Sequence, residues 1–569
     1  MSAGVRWKDE AELERWSRKR VPNNRRTEIA SMDRRRFIAK AGLLAAGSAF
    51  GGAFVSCGVD LNLPCLGPAV APTPVPGMTY IRASEIGCAL DCNLENGRNK
   101  HHGGPATDDG PRINAAMAGA SESNPMTLII DGGALISGLF LPAGGHWSVA
   151  GLGCGTGFFV KTGTNNDGIH NGSSKQIIPF EPGPPAPPRG TSVSLRNFTL
   201  NANGGNGSNG DSTSGTPQGI TGTVWYCGIN LMNLNNISIE NVVVVNSPSY
   251  HFRLSNVGNV SISGCVLRSA GYNTDGLHFD GPSNDISISN CNFMTGDDSI
   301  ALNCPEGYSG DIERVTVANC VFNSWSLMRL YTAGPTGKFK IDTVSVSGCS
   351  GTLTEGAFFI GYNPGSNPNS ITGLTISDCS LTASCVLAMA ENFGTIAVSN
   401  VTWTPSSATT RFYPPQADES CGFLRTSPVF GTDSYIGSSL SFANCVVQRN
   451  SNTKAAAVIL ENDSTINQVE FNGFALQDAG SYSPLTELLN LVSGSIGELV
   501  LDSVNSTDIN SPVSPGGFAD IGTVAGTGVL ASGWEFPDVV MANEVPYISA
   551  SSGLPSIKIN GVVEPYPQG

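Results

Sequence analysis

The chain has 569 residues with 69 Gly and 35 Pro, only 14% charged residues and a formal net charge of −15 at pH 7. This acidity, with no basic stripe to meet phosphates, excludes a nucleic-acid-binding function. The abundant turn-forming residues predict a β-rich protein, and a repeat architecture of this length can form a single body.

The N-terminal segment predicts export by the twin-arginine route. The residues Arg34-Arg35-Arg36-Phe37 precede an apolar stretch over residues 41–55. This arrangement resembles a twin-arginine signal, and the stretch is too short for a comfortable membrane-spanning helix. We therefore expect a signal peptide over residues 32–57 and a periplasmic, cell-surface or secreted protein. The alternative is a chance basic cluster before a buried helix.

Three further expectations concern the flanks of this signal. Met32 is a candidate for the true start, which would make residues 1–31 an extension assigned in error. Cys57 is a candidate for a lipid anchor, because the residues before it faintly resemble a lipoprotein cleavage site. The Pro-rich residues 58–78 predict a linker to the folded body.

A short helix is predicted near the start of that body, which we expect to span residues 79–569 as one domain. The acidic run before Gly110-Pro111 precedes the helical pattern. Asp109 or a neighbour would cap the helix, and Pro111 would lie in its first turn. The helix would close the N-terminal end of the body, and its acids are interpreted as caps rather than catalysts.

A strand pattern with alternating apolar and polar residues recurs along the middle of the chain. Clear copies start at Ile237, Val260, Ile286, Val315, Val344 and Leu374. Each copy cannot bury its apolar face alone, so the copies must stack on one another. We predict an all-β fold, a right-handed parallel β-helix (solenoid) of about ten coils, with loop insertions near 201–218 and 403–438.

Cysteines end most copies of the pattern and should stack in the core. They are Cys265, Cys291, Cys320, Cys349 and Cys379. A twin-arginine signal implies folding in a reducing cytoplasm, so we interpret them as small buried residues rather than disulfides or metal ligands. No Cys-x-x-Cys pair is present, and we predict no metal and no cofactor.

Alignment of the coils predicts which residues face inward on the strand after the shared turn. Inward residues should be Phe252, Leu254, Leu277, Phe279, Ile300, Leu302, Met328 and Leu330. The residues between them should point outward to solvent along one face. They are Arg253, His278, Ala301 and Arg329.

Two acidic motifs lie at the leading edge of that face, on adjacent coils. They are Asn273-Thr274-Asp275-Gly276 and Gly296-Asp297-Asp298-Ser299. Strict alternation would separate Asp297 from Asp298, but Gly296 offers a bend that lets both reach one cleft with Asp275. Such proximity raises at least one carboxyl pKa, which suits acid/base cleavage of a glycosidic bond. The alternative is that these acids are only turn residues.

These motifs resemble the polygalacturonase group, glycoside hydrolase family 28, over about residues 225–305 and diffusely elsewhere. The resemblance implies a right-handed parallel β-helix and an inverting hydrolase. Matched motif to motif, Asp297 is similar to the general acid. Asp275 and Asp298 are similar to the residues that position and deprotonate water.

The chain departs from the family's substrate-binding motifs. Where the family has Gly-His-Gly, residues 323–329 contain no His, and where it has Arg-Ile-Lys, residues 358–362 contain no cation. Each lost charge-assisted hydrogen bond is worth about 1.5–3 kcal/mol. We therefore expect a neutral or only partly acidic glycan. The candidate substrate contacts are Phe359 and Tyr362 by stacking, and His278, Arg329, Asn273 and Arg253 by polar contact.

The sequence thus favours an exported inverting glycoside hydrolase that cleaves a polysaccharide or oligosaccharide other than simple polygalacturonate. A polysaccharide lyase or epimerase of the same fold is one alternative, although no suitable basic pair lies beside the acids. A non-catalytic glycan-binding β-helix is the other, because fold alone does not imply activity.

Overall fold

The computed structural model describes residues 74–565 with several gaps. The gaps are residues 154, 165, 173–183, 205–225, 270, 272, 333–338, 362–369, 390–391, 407–419, 427–435, 450–453, 461–462, 479–485, 492, 507–508, 514–517, 532–544, 549–554 and 560–561. The signal peptide, Cys57, Tyr362, and most of the linker and of the two predicted insertions therefore lie outside the described residues. Within the described part, no helix has the length and apolar character needed to cross a membrane.

Parallel strands from successive coils form three long ladders, which is the architecture that the repeat predicted. The fold is a right-handed parallel β-helix. The first ladder contains β1 (Thr79–Arg82), β2 (Met126–Ile130), β5 (Gly145–Gly151), β8 (Gly190–Arg196), the second halves of β10 (Ile229–Glu240), β12 (Phe252–Ser263), β14 (Leu277–Ser289) and β16 (Asp298–Ala318), then β19 (Ile341–Ser347), β22 (Ile371–Ser377), β25 (Phe393–Ser399), β28 (Ile436–Ala443), β31 (Thr465–Asn472), β34 (Ser493–Ser506) and β36 (Phe518–Ala531).

The second ladder contains shorter strands that follow the turn at the end of most first-ladder strands. It contains β3 (Gly133–Ile136), β6 (Gly157–Val160), β9 (Thr199–Asn201), β11 (Val243–Val245), β13 (Val266–Arg268), β15 (Asn292–Met294), β17 (Val321–Ser324), β20 (Ser350–Leu353), β23 (Ser380–Ala383), β26 (Thr402–Pro405), β29 (Val446–Arg449) and β32 (Ala475–Asp478).

The third ladder carries the face on which the acidic motifs were predicted. It contains β4 (Leu139–Phe140), β7 (Ile169–His170), the first halves of β10, β12, β14 and β16, then β18 (Ser326–Tyr331), β21 (Gly356–Ile360), β24 (Cys385–Met389), β27 (Ser420–Thr426), β30 (Lys454–Leu460), β33 (Thr486–Leu491) and β35 (Ile509–Val513). A separate antiparallel sheet contains β37 (Val545–Ile548), β38 (Pro555–Ile559) and β39 (Val562–Pro565).

The solenoid has more coils than the repeat signature indicated. Among the described residues the first ladder has fifteen strands, against the roughly ten coils that we predicted. One of the additional strands is β2, with the sequence MTLII, which lacks the alternating pattern and is buried throughout. Strands buried on both faces lose the polar half of the signal on which the count depended.

The turn between the first and second ladders explains why Asn and Gly recur there. In successive coils the residue after the first-ladder strand has a left-handed backbone, with φ of 51° at Asn241, 62° at Gly264, 53° at Asn290 and 55° at Asn319. Glycine and asparagine adopt this conformation at the lowest cost. Two residues after Ser263, the buried Cys265 donates its thiol hydrogen to the Ser263 carbonyl oxygen.

The predicted cysteine ladder is confirmed as a buried one. All five cysteines are at most 3% exposed and none is bonded to another. The Cys320 Sγ also accepts a hydrogen bond from the Cys291 main-chain N–H at 3.4 Å. The thiols act as small apolar groups between coils, as expected for buried free cysteine.

The predicted helix is present as α1 (Gly110–Met117), with Pro111 in its first turn. Asp109 holds the cap position, but its carboxylate accepts hydrogen bonds from the Ala89 and Leu90 N–H groups instead of from the helix. Asp108 Oδ1 takes the capping role by accepting a hydrogen bond from the Gly110 N–H at 3.1 Å. The buried Ile113 and Met117 of α1 pack in the solenoid core.

Candidate active site

Strand register places the four predicted outward residues in one line across the third ladder. Arg253 pairs with His278, His278 with Ala301, and Ala301 with Arg329. We call these residues, continued by Phe359 in the next coil, the cleft line. The eight residues predicted to face inward are all 0% exposed and lie in the core, which confirms the alternation.

The expectation that the cleft line faces solvent is wrong. Each of its five members is at most 2% exposed. The side chains point away from the solenoid core, but neighbouring side chains cover them. The outward position on a β-helix strand therefore indicates direction and does not indicate contact with water.

The two acidic motifs converge as predicted. One carboxylate oxygen from each of Asp275, Asp297 and Asp298 lies within 4.8 Å of the others. Gly296 and Asp297 form a bend between β15 and β16, so Asp297 is outside the strand and escapes the alternation that governs Asp298. Strand alternation consequently no longer separates the two adjacent aspartates.

Hydrogen bonds connect the motifs directly. The Asn273 N–H donates to Asp297 Oδ2 at 3.1 Å, and the Gly296 N–H donates to Thr274 Oγ1 at 3.1 Å. Asn273 has a φ of 53°, so it is a turn residue whose main chain orients Asp297. Its contact with substrate remains a prediction.

Burial raises the pKa of Asp298 to about 8, with further contributions from the negative charges of Asp297 and Asp275. Arg329 and a hydrogen bond from the Ser326 hydroxyl to Asp298 Oδ1, 2.5 Å long, act in the opposite direction. At neutral pH Asp298 is therefore protonated. The cluster thus contains a carboxyl group that can supply a proton, as the motif spacing predicted.

A second charged group lies beneath the acids, and we call it the His278 network. His278 Nδ1 is 2.7 Å from Asp275 Oδ2, and its Nε2 is 3.0 Å from Glu306 Oε2 and 3.1 Å from Asp280 Oδ1. Arg253 Nε donates to Asp280 Oδ2 at 2.8 Å. All four members of the network other than Asp275 are at most 1% exposed.

The network has a defined charge state. Burial alone would lower the pKa of His278, but Glu306, Asp275 and Asp280 raise it well above its usual value. Burial would raise the pKa of Asp280, but Arg253 and His278 lower it to about 2. The same partnership raises the pKa of Arg253. Opposite charges at these distances outweigh the cost of burial for each group.

These contacts change the interpretation of two predicted substrate contacts. Arg253 and His278 are 1% exposed and hold carboxylates of the protein. A direct polar contact with substrate needs exposed donor atoms, which the structure does not give them. In the structure they bind the carboxylates of Asp280 and Asp275 instead.

The remaining polar and aromatic candidates lie in the next two coils. The Arg329 guanidinium is 5.4 Å from the centre of the Tyr331 ring and is 2% exposed. Phe359 is 1% exposed, and its ring lies flat against Trp325 with centroids 4.8 Å apart. Stacking of Phe359 on a sugar is therefore contradicted, because Trp325 already covers that ring.

Sequence reasoning missed several residues of the site. Asp280 follows His278 by two residues on the same strand face, so alternation could have found it. Glu306 reaches the network through an irregularity, because three residues are inserted in β16 between the positions that pair with Asp280 and Gly281. Ser326 and His251 carry no sequence signal, although His251 Nδ1 lies 2.8 Å from the main-chain oxygen of Asp275.

Two groups of described side chains have the proximity that metal binding requires: the three aspartates, and His278 with Asp280 and Glu306. In the second group, Arg253 and His278 already supply positive charge to the carboxylates. We therefore assign the second group to the ion pairs of the His278 network and not to a metal site.

Comparison with known proteins gives one family and several relatives. Residues 197–324 match the model of glycosyl hydrolases family 28, and both acidic motifs lie inside that match. An endo-polygalacturonase of Sclerotinia sclerotiorum is 28% identical over 252 residues, which cover 43% of this chain and 59% of the relative. The chain thus matches less than two thirds of that relative's length. The predicted resemblance is confirmed.

Solved structures with a similar fold include a family 28 exopolygalacturonase of Yersinia enterocolitica, with 13% identity, a TM-score of 0.47 and 79% of each chain covered. The A-module of the mannuronan C-5 epimerase AlgE4 of Azotobacter vinelandii has 10% identity and a TM-score of 0.44, with 76% of this chain and 97% of that module covered.

Proposed function

We propose, from the family 28 match over residues 197–324, that this protein is a glycoside hydrolase that cleaves a polysaccharide. The observation that carries the proposal is the cluster of Asp275, Asp297 and Asp298, one of which is protonated at neutral pH. A protonated carboxyl beside ionised ones is what hydrolysis of a glycosidic bond requires.

The chemistry divides between the two sides of the bond. One carboxyl donates its proton to the glycosidic oxygen, which leaves with the released sugar. Asp275 accepts a proton from a water molecule whose oxygen attacks the anomeric carbon. No redox step and no cofactor enters this scheme.

The resemblance assigns the acid to Asp297, whereas burial favours the proton on Asp298. The half-buried Asp297 has the better access to substrate, and Asp298 is 2% exposed. We propose Asp297 as the acid in contact with the leaving oxygen. We propose further that the proton held on Asp298 reaches the leaving oxygen through Asp297, so the rate should fall as pH rises through about 8, where Asp298 loses that proton.

The substrate is proposed to be a glycan other than simple polygalacturonate. The S. sclerotiorum relative is named for polygalacturonate, but this chain lacks the family's Gly-His-Gly and Arg-Ile-Lys motifs. Arg329 is the cation of the cleft line whose charge acts on Asp298, so it serves the acids. A neutral or partly acidic glycan fits this balance.

Inversion at the anomeric carbon is implied by the resemblance. The closest carboxylate oxygens here lie within 4.8 Å, shorter than the roughly 6.5–9.5 Å between carboxyl groups that is common in inverting enzymes. The stereochemistry therefore needs its own measurement. Proton NMR of the first-formed product should show the opposite anomer, and a retained configuration would contradict this part of the proposal.

The activity is tested by measuring reducing-end release across neutral and acidic polysaccharides. We expect release from at least one glycan, lost by a factor of about 10²–10⁴ in Asp297→Asn. An activated aryl glycoside, whose leaving group needs little protonation, should be cleaved by Asp297→Asn with a much smaller loss. If only Asp298→Asn were rescued in this way, the acid would be Asp298.

Two controls separate the alternative functions. A lyase would produce an unsaturated uronate that absorbs in the ultraviolet, and a hydrolase would not. A glycan-binding protein would bind substrate and release no reducing ends from any glycan, which would contradict the proposal.

Export through the twin-arginine route is a further proposal, supported by residues 32–57 alone.

A further inference from the structure

The His278 network lies against the carboxylate that we propose as the base, and its geometry bears on where the hydrogens of the His278 ring lie. Nδ1 of His278 faces one carboxylate oxygen, of Asp275, at 2.7 Å. Nε2 faces two, of Glu306 at 3.0 Å and Asp280 at 3.1 Å. An ionised carboxylate can only accept a hydrogen bond, so beside ionised Asp275, Asp280 and Glu306 both ring nitrogens carry hydrogen.

The charges around the ring balance if His278 is an imidazolium. The groups that face it are Asp275 and Asp280 near its own strand, Arg253 and Tyr250 from the preceding coil, and Glu306 from the following one. Arg253 and His278 together offset Asp280 and Glu306, which leaves one negative charge, on Asp275. The Tyr250 ring stacks on the imidazole at 3.7 Å and excludes water from that side.

We infer that His278 is a positioning residue that, as an imidazolium held by Glu306 and Asp280, keeps the Asp275 carboxylate aimed at the attacking water. This inference rests on the proposed hydrolase function. His278 touches no substrate, since it is 1% exposed. Its hydrogen bond fixes Asp275 Oδ2, which leaves the other carboxylate oxygen of Asp275 to accept the proton of water.

A main-chain contact completes the same arrangement. His251 Nδ1 lies 2.8 Å from the Asp275 carbonyl oxygen, and burial lowers the pKa of His251, so this ring is neutral. Two histidines therefore hold one aspartate, the neutral His251 at its backbone and the charged His278 at its side chain. Of the two, His278 is the one that contacts the Asp275 carboxylate itself.

The first experiment measures the charge of His278 without using activity. Nitrogen-15 NMR of histidine-labelled protein should show His278 with both ring nitrogens protonated from pH 6 to 8. In Glu306→Gln, which keeps the side-chain shape, His278 should lose a proton at a lower pH. A His278 that is neutral at pH 7 in the unaltered protein would overturn the inference, whatever the protein hydrolyses.

The second experiment uses the glycan that the reducing-end screen identifies. His278→Gln and Glu306→Gln should lower kcat by about 10- to 100-fold, with KM changed by less than about twofold. The fall in rate at high pH should begin at lower pH in Glu306→Gln, because His278 then loses its charge sooner. His101→Gln and Glu122→Gln, at exposed positions, are the matched controls and should leave kcat unchanged.

Unaltered kcat and pH profile in a folded Glu306→Gln protein, checked by thermal unfolding, would overturn the positioning role. An unaltered protein that cleaves no glycan would contradict the proposed function and the positioning role with it. In that case NMR still reports whether the imidazolium exists, so the two failures are distinguishable.

Discussion

Two sides of the same coils follow different rules. At the turn between the first and second ladders, successive coils repeat Asn or Gly, with Asn290 and Asn319 in the same left-handed conformation. Along the cleft line, successive coils place His278, Ala301 and Arg329 at equivalent positions. Repetition marks what every coil needs in order to stack, and variation marks positions where one coil does something that the others do not.

The contrast also appears in charge. The turn side is uncharged over most coils and is stabilised by main-chain hydrogen bonds and buried thiols. The cleft side of β12, β14 and β16 buries Arg253, His278, Asp280, Glu306 and Asp298. Burying charge is costly unless each group is paired, so such a concentration indicates that the charges serve a function.

The largest effect should come from replacing the proposed base. Asp275→Asn should reduce the rate of glycan cleavage by about 10²–10⁴-fold, since the carboxylate that activates water is removed. The measurement is reducing-end release with thermal unfolding in parallel. The unfolding temperature should change little. A large fall in unfolding temperature together with the loss of rate would mean that Asp275 is only structural.

A core position in the first ladder should show the reverse: a loss of stability without a loss of activity. Ile288→Ala removes a side chain that is 0% exposed between coils, which should lower the free energy of unfolding by about 2–5 kcal/mol. Denaturant unfolding measures the loss. The kcat of the protein that remains folded should match that of the unaltered chain. A loss of kcat in the folded protein would contradict the view that this position serves stability alone.

Ser326→Ala should produce a smaller effect on the cleft side. Its hydroxyl donates a hydrogen bond to Asp298 and lowers the pKa of that carboxyl, so its removal should raise this pKa from its value of about 8. Because the protonated form is the one required, the high-pH fall in rate should move to higher pH, with kcat reduced about two- to tenfold. The measurement is a pH–rate profile. Ser345→Ala, on the first ladder, is the control, and a shift to lower pH would contradict the assignment.

The smallest effect is expected at the turn. Asn290 has a φ of 53°, which alanine adopts less readily than asparagine. Asn290→Ala should therefore lower the free energy of unfolding by about 1 kcal/mol. Asn290→Gly should cost less. Asn292→Ala, two residues later in β15, serves as the matched control in thermal unfolding. Equal losses at both positions would show that conformation is not the cause.

The fold was largely predictable because stacking imposes the same demand on every coil. The alternation at Val260 and Ile262 predicted strands with one buried face, and the cysteine positions predicted a ladder. The count of coils was too low in part because a strand buried on both faces, such as β2, loses that alternation. The acidic cluster was also predictable, since Asp275 and Asp297 follow the same turn in adjacent coils.

The support of that cluster was not predictable from local pattern. Glu306 comes beneath Asp275 only because three residues are inserted in β16, and sequence spacing cannot say in which direction an insertion folds. The cleft line was expected to be exposed, whereas the residues around it cover it. Burial depends on the neighbours of a side chain in space, which no periodicity encodes.

By itself, then, the sequence determined a stacked solenoid and three aspartates on adjacent coils, because both follow from a repeat whose period brings equivalent positions together. Only the tertiary structure decided that His278 and Arg253 face protein carboxylates instead of substrate. It also decided that Asp298 is the carboxyl whose pKa is raised. The physical reason is that charge state depends on burial and on partners within a few ångströms, and those partners come from different coils.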